Sequence, residues 1–184
     1  MPYLLWQLID SAFPSGGFAH SGGLEAAVHH GYVTDSDGVR AFARQSVVQY
    51  GRNALPIATA AHLGTHAIAE LDDLCDVFLS NPIANRASRA QGRALVTSVA
   101  RAFPHADVSA VQPGRNHADA GHYAPLFGAL FSVLDVNLID TQRALLFIVG
   151  RGVCSASVRL GIIGAYEGQT IQSELAGHID VVIH

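Results

Sequence analysis

Ten histidines and two cysteines make metal binding the first chemistry to consider in this sequence. Neutral imidazole is a good ligand for divalent nickel and zinc. His62 and His66 are four residues apart, a spacing that would place both rings on one face of a helix. Leu63 and Gly64 stand where the acidic residue of a two-histidine zinc motif would lie, and no third ligand is evident. We therefore interpret the pair as surface histidines and predict no metal site, with metal binding by the pair as the alternative.

Nucleophilic catalysis is the second chemistry, because His20, Ser21 and Glu25 are residue types found in catalytic triads. Neighbouring residues of one short segment cannot align a nucleophile, a base and an orienting acid. No serine of the chain lies in a G-x-S-x-G elbow either. We predict no catalytic residue and no enzyme, and a hydrolase that uses Ser21 or His20 is the alternative.

The same segment contains two glycine pairs, Gly16-Gly17 and Gly22-Gly23, which invite comparison with phosphate-binding loops. Their spacing matches neither the dinucleotide-binding nor the Walker pattern, no predicted strand precedes them, and the chain has no lysine. Pro14 and the glycines allow a sharp turn after an apolar first helix. We predict that this turn shapes the backbone so that His20 and Glu25 lie near a partner-facing surface.

Composition and charge exclude several classes of partner. A net charge of -4 and a pI near 6.2 are unlike the basic surface of a nucleic-acid-binding domain. The two cysteines form no C-x-x-C pair, and no secretory leader is recognisable. The apolar segment 144–163 contains Arg151 and Arg159, and each would cost roughly 2.5–3.5 kcal/mol at a bilayer centre. We expect a cytoplasmic protein that binds neither nucleic acid nor a membrane, and a buried helix over 144–163.

Long segments rich in alanine, leucine and arginine, interrupted by glycine and proline, indicate an all-α fold. The 184 residues, of which 49% are hydrophobic, predict a single domain over residues 1–184. We expect a helical bundle of about seven to ten helices. Ser21 is the candidate N-cap of a short helix that stops at Gly31, and Thr34 or Asp35 is the candidate cap of the next helix.

Prolines and glycines mark the remaining boundaries. Pro56 should start or kink a helix that runs through His66, and the helix before Pro82 should form a hairpin with a long helix from about 83 to 103. The segment 104–121 is the one long loop candidate. The last predicted helices cover 122–134 and 138–160, and Gly164 and Gly168 precede a final short helix around 171–175.

A row of arginines is the clearest charge pattern of the sequence. Its members share one broad face of the predicted 83–103 helix and are Arg86, Arg89, Arg93 and Arg101. The preceding helix offers a comparable arc of acidic residues, namely Asp72, Asp73 and Asp76. Pairing across the hairpin would contribute about 0–1 kcal/mol for each exposed pair. Alternatively, part of the row meets an acidic partner surface, because arginine is favoured in interface ion pairs. Both interpretations stay open at this point.

Four groups of motifs follow one another along the chain. They are LLWQLIDSAFPSGGFAHSGGLE (4–25), ELDD (70–73) with NRASRAQGRAL (85–95), HYAPLFG (122–128), and SASVRLG (155–161) with EGQ (167–169). Together they span nearly the whole sequence. In order and spacing they resemble the UreF family of urease accessory proteins.

The resemblance implies an all-helical, non-enzymatic protein without a cofactor of its own. Such a protein would form a homodimer and bridge a scaffold protein, UreD or UreH, to the GTP-binding nickel carrier UreG, and the complex would activate apo-urease. It further implies that the matching polar residues either bind partners or stabilise buried turns; they are His20, Ser21, Glu25, Arg86, Arg93, Arg159 and Gln169. Glu25 and Gln169 are alternatively caps of backbone groups. A nickel-binding metallochaperone that uses surface histidines is the alternative function.

Overall fold

The structure is a computed structural model that describes residues 2–15, 21–111 and 121–184. In these ranges it contains nine α-helices, one short 3₁₀ helix and no strand, which confirms the all-α prediction. The α-helices are α1 (Pro2–Ile9), α2 (Leu24–His29), α3 (Ser36–Arg52), α4 (Ala54–Leu63), α5 (Ile68–Phe78), α6 (Pro82–Ala102), α7 (Tyr123–Val133), α8 (Leu138–Arg159) and α9 (Ala165–Ile183).

The chain forms two compact units, and each is assembled from two separate parts of the sequence. The first unit comprises Met1–Gly17 and Asn53–Gln142, and the second comprises Phe18–Arg52 and Arg143–His184. The first unit therefore holds α1 and α4 to α7, and the second holds α2, α3 and α9. Helix α8 supplies residues to both. The prediction of one domain over 1–184 stays a prediction.

Helix α7 is the centre of the first unit. All eight residues from 124 to 131 are buried, as expected for a helix that is apolar on every side. It packs most extensively against α4 and then against α6. At Gly128 an added Cβ would lie 2.0 Å from the carbonyl oxygen of Ala58. Only glycine allows the backbones of α4 and α7 to approach this closely.

The second unit is built around the contact between α3 and α9. Buried residues recur every four positions on both helices: Val39, Ala43 and Val47 on α3, and Ile171, Leu175 and Ile179 on α9. This spacing is typical of ridges that pack into the grooves of a facing helix. An ion pair between Arg40 and Glu174, with the Nε and Oε2 atoms 3.0 Å apart, links the same two helices.

Of the helix caps predicted in the second unit, the one at Asp35 is confirmed and the one at Ser21 is wrong. Asp35 caps α3 as expected, because its carboxylate accepts a 2.9 Å hydrogen bond from the Gly38 N–H. Ser21 is not the N-cap of α2, and that prediction is wrong. The helix begins at Leu24, and Gly23 precedes it in the left-handed conformation (φ 96°) without a side-chain cap. Ser21 contributes its backbone carbonyl, which accepts from the Leu24 N–H at 3.1 Å.

Two predicted helix boundaries are wrong, and glycine explains both. Helix α4 ends at Leu63 rather than running through His66, because Gly64 adopts a left-handed conformation (φ 64°) that closes the helix. The last helix, α9, is 19 residues long instead of a short segment around 171–175. Gly168 lies inside α9, where an added Cβ would be 3.2 Å from the Cγ2 atom of Val158. It permits close packing and does not break the helix.

Some of the predicted loop regions lie outside the described residues, including the turn at Gly16-Gly17, His20 and positions 112–120. The described part of the long loop contains the 3₁₀ helix, Val108–Val111. Helix α8 covers most of the apolar segment, with Leu145 and Leu146 fully buried. None of the helices in the described ranges is both long and apolar enough to cross a bilayer.

Candidate partner-binding surfaces

Two of the predicted partner-binding residues contact each other in the second unit. Glu25, in the first turn of α2, accepts a hydrogen bond from Arg159, the last residue of α8, with Oε1 and Nη2 3.0 Å apart. The two side chains are 56% and 42% exposed, so the pair contributes roughly 0–1 kcal/mol. The suggestion that Glu25 caps backbone groups is not supported, because its hydrogen bond goes to Arg159. The pair presents opposite charges to solvent in a defined geometry.

Gln169 and Ser21 belong to the same unit. Gln169 is exposed in the first turns of α9, and no hydrogen bond to a described backbone group supports a capping role. Ser21 is half-buried just before α2. No base or acid bonds to its hydroxyl among the residues that the structure describes, so its local geometry gives no support to a hydrolase. His20, the remaining residue of this set, lies outside the described ranges.

The arginine row of α6, in the first unit, separates into an inner and an outer part. Arg89 points inward and pairs with two aspartates of α5: its Nη1 is 3.7 Å from Asp72, and its Nη2 forms a short contact with Asp76. Arg86 and Arg93 are exposed, and neither has an acidic side chain at ion-pair distance among the described residues. Pairing across the hairpin is therefore realised by Arg89, and contact of the exposed arginines with an acidic partner surface stays a prediction. Asp73 takes no part in the pairing.

Sequence reasoning missed a polar network around Asp72 and Asp76. Asp72 is 5% exposed and accepts hydrogen bonds from the N–H groups of Gly121, at 3.1 Å, and His122, at 2.6 Å. His122 is fully buried, with Nε2 3.0 Å from Oδ1 of Asp76 and Nδ1 3.0 Å from Oγ of Ser88. A buried carboxylate and a buried imidazole require such partners.

The contact with Asp76 fixes the role of one ring nitrogen of His122. A carboxylate only accepts hydrogen bonds, so Nε2 carries a proton and donates to Oδ1 of Asp76. Ser88 Oγ lies 3.0 Å from Nδ1 and also accepts from the backbone N–H of Tyr123 at 3.1 Å. The network satisfies the N–H groups of Gly121, His122 and Tyr123 and anchors the start of α7 to α5 and α6. Gly92 permits the contact, because a Cβ there would lie 2.1 Å from the Gly121 carbonyl oxygen.

A signal for this network exists in the sequence. Asp72 lies between Leu71 and Cys75 on the apolar face of α5, where a carboxylate has to find donors. The donors come from Gly121 and His122, about 50 residues later, and local periodicity cannot identify them.

Two pKa values in this region shift in opposite directions. The pKa of Asp76 is well below its usual range, first because Asn85 donates to its carboxylate and further because His122 and Arg89 bond to it. The pKa of the Cys75 thiol is raised to about 12 by burial and by the charges of Asp72 and Asp76. A thiol with such a pKa stays protonated and is a poor nucleophile or metal ligand near neutral pH.

The histidine pair of the sequence does not form on one helix face. His62 lies in the last turn of α4, and its Nε2 is 2.8 Å from the carbonyl oxygen of Val136. His66 lies beyond the end of α4, with Nδ1 3.1 Å from the Thr65 hydroxyl. In the ranges that the structure covers, no three His, Cys, Asp or Glu side chains are grouped as a metal site.

The sequence is similar to known proteins over most of its length. A sequence model of the family described as UreF matches residues 33–176. Urease accessory protein F of Oryza sativa subsp. indica is 34% identical over 178 residues, which cover 93% of this chain and 67% of the rice protein. The Arabidopsis thaliana protein of the same name is 32% identical over 184 residues, 96% of this chain and 75% of the relative. Urease accessory protein UreF of Mycobacterium sp. (strain JLS) is 36% identical over 156 residues, 85% and 71% of the two chains.

Proposed function

The chain belongs to the UreF family of urease accessory proteins, and from that premise we propose that it is a non-enzymatic adaptor of urease maturation. It bridges a UreD/UreH-type scaffold protein and a UreG-type GTPase in the cytoplasm, acts as a homodimer, and so supports nickel insertion into apo-urease. The observation that carries the proposal is the family match over residues 33–176.

The polar residues that match the family motifs supply the partner contacts in this proposal. In the second unit these are Glu25, Arg159 and Gln169, together with Ser21 and the undescribed His20. In the first unit they are Arg86 and Arg93. Interfaces between proteins are enriched in arginine, and a charge pair of defined geometry gives orientation rather than large affinity. The Glu25–Arg159 pair suits such a role because its own contribution to folding is small.

Co-purification tests the adaptor role. The tagged chain is expected to retain its cognate UreD/UreH-type and UreG-type partners when all three are co-expressed. The double variant Glu25→Ala/Arg159→Ala should reduce retention of at least one partner and reduce urease activation in cells that lack their own UreF-type protein.

The matched control is Arg143→Ala/Asp180→Ala, which removes a comparable pair in the same unit, with side chains 49% and 48% exposed and Nε and Oδ1 2.9 Å apart. This control should leave retention unchanged. Failure of the wild-type chain to retain either partner would show that the adaptor role is wrong.

Nickel binding by surface histidines is the alternative function. The described geometry gives it no support, since His62 and His66 do not share a helix face. Calorimetric titration with nickel distinguishes the two functions. Tight binding that is lost in His62→Ala/His66→Ala would favour the metallochaperone, whereas binding no tighter than background would leave the adaptor as the better account.

A further inference from the structure

Helix α6 is the most basic element of an acidic chain. Its 21 residues include four arginines and no acidic residue, whereas the whole chain has a net charge of -4. Apart from Arg89, the arginines lie on the exposed side of the helix. We call this side the α6 stripe and define it by its exposed residues, Ile83, Arg86, Ala90, Arg93, Thr97 and Arg101. At about 100° per residue, these six positions fall within an arc of about 80°.

The opposite side of α6 is fixed by its contacts. Gly92, Leu95 and Val99 are buried, and Arg89 is held by Asp72 and Asp76 of α5. Ser88 bonds to both His122 and the N–H of Tyr123 at the start of α7. Because buried contacts hold the inner side, the helix cannot rotate freely, and the stripe keeps one outward direction. The buried network therefore acts as a positioning device for the stripe.

The positive charge of the stripe is not neutralised within the described residues. Arg86, Arg93 and Arg101 have no acidic side chain at ion-pair distance there. Arg86 and Arg93 are seven residues apart, which separates them by about 10.5 Å along the helix axis. Ala90 lies between them and Thr97 follows, and both are short side chains that leave room for close approach. A second helix with carboxylates seven residues apart matches this pattern in both shape and charge.

We propose that the α6 stripe docks an acidic helix of a partner protein in the urease maturation assembly. The inference rests on the adaptor function proposed above and assigns one surface to it. Arg86 and Arg93 supply the central charge pairs, Arg101 extends them, and Ile83, which is 69% exposed, provides an apolar contact at one end. Three arginines in a chain of net charge -4 are too few for nucleic acid, whose binders commonly neutralise about 6–10 phosphates.

Charge reversal on the full-length chain tests the docking surface. Binding of the purified UreD/UreH-type and UreG-type proteins, each alone and both together, is measured for the wild type and for Arg86→Glu/Arg93→Glu. The matched control is Arg44→Glu/Arg52→Glu, which makes the same charge change at exposed positions of α3. A milder variant, Arg86→Gln/Arg93→Gln, covers the case in which charge reversal disturbs folding. Circular dichroism verifies that each variant retains its helices.

The expected result is a dissociation constant for one partner that rises at least about tenfold in Arg86→Glu/Arg93→Glu and less than twofold in the control. Wild-type affinity for that partner should fall as salt rises from about 0.1 to 1 M, because salt screens exposed charges. Arg86→Lys/Arg93→Lys should retain part of the affinity, since lysine keeps the charge but not the bidentate geometry. Replacement of the facing carboxylate residues of the partner helix by basic residues should restore binding to Arg86→Glu/Arg93→Glu.

Three outcomes would overturn the proposal. If the wild type binds both partners and Arg86→Glu/Arg93→Glu binds them equally well, the stripe is not the docking surface, while the adaptor function stands. If the variant instead abolishes self-association or binding to anionic vesicles or duplex DNA without affecting either partner, the occupant is a second copy, a lipid or a nucleic acid. If the wild type binds neither partner, the adaptor function fails and the docking proposal fails with it.

Discussion

At the scale of single residues, burial gives ordinary polar side chains defined roles. His122 and Asp72 could both be surface residues by type, yet they are 0% and 5% exposed. Their hydrogen bonds go to groups that would otherwise be unsatisfied, including the N–H groups that precede α7. By contrast, Arg86 and Arg93 are exposed, and their charges remain available to a partner. Neighbouring residues of one motif therefore divide into those that hold the fold and those that face solvent.

Asp76 should make stability depend on pH. Its pKa is lowered in the folded protein, so its charge stabilises the fold above its unfolded pKa of about 3.9, and this contribution is lost as pH falls through the folded pKa. Because the side chain is 43% exposed, we expect Asp76→Asn to cost only about 1 kcal/mol at pH 7. The difference from wild type should shrink below about pH 4, as measured by urea unfolding at several pH values.

The control for this prediction is Asp73→Asn, which changes an exposed neighbour outside the network. It should alter the free energy of unfolding by less than about 0.5 kcal/mol at any pH. A cost of Asp76→Asn that stays constant between neutral and acid pH would contradict the proposed electrostatic cause.

At the scale of elements, glycine determines how closely helices pack. Gly128 allows α7 to contact the backbone of α4, and Gly92 allows α6 to contact the start of α7. These contacts surround α7 with other helices in the first unit. Helix α6 is thereby held on its inner side, and its outer side is exposed to solvent. In the second unit, Gly168 allows α9 to pack closely against Val158.

Gly128→Ala should destabilise the protein by about 1–3 kcal/mol or more. The added Cβ would lie 2.0 Å from the carbonyl oxygen and 2.8 Å from the carbonyl carbon of Ala58, so two helix backbones would have to separate. Gly177→Ala is the control, because Gly177 is exposed in α9 and an added Cβ there has no neighbour within 4 Å. It should stabilise the protein by about 0.5–1 kcal/mol. Equal urea midpoints for the two variants would contradict the close backbone contact between α4 and α7 at Gly128.

At the scale of the whole molecule, the chain folds into two units that each need distant parts of the sequence. Cys75 lies in the first unit and Cys154 in the second, and both are buried. They are therefore natural reporters of the opening of each unit. The positions of the two cysteines in the sequence do not indicate that each reports on a different unit.

Both thiols should be inert in the folded protein. Burial and nearby carboxylates raise the pKa of Cys75 to about 12, and burial raises that of Cys154 to about 11. Since the thiolate is the reactive form, we expect reaction with a thiol reagent to be on the order of 100-fold slower than in the denatured chain. Cys75→Ser and Cys154→Ser isolate the two signals. Ser173→Cys on the exposed side of α9 provides a fast-reacting control, and native-state rates as fast as that control would disprove the burial of either thiol.

The sequence by itself determined the all-α fold, most helix positions and the family. Helical periodicity, proline positions and local motifs carry this information over a few neighbouring residues. Only the tertiary structure decided that Arg89 turns inward to Asp72 and Asp76, that His122 is buried, and that Glu25 meets Arg159. These contacts join residues 13 to 134 positions apart. These contacts depend on how the helices pack, and helix packing is not encoded in local sequence patterns.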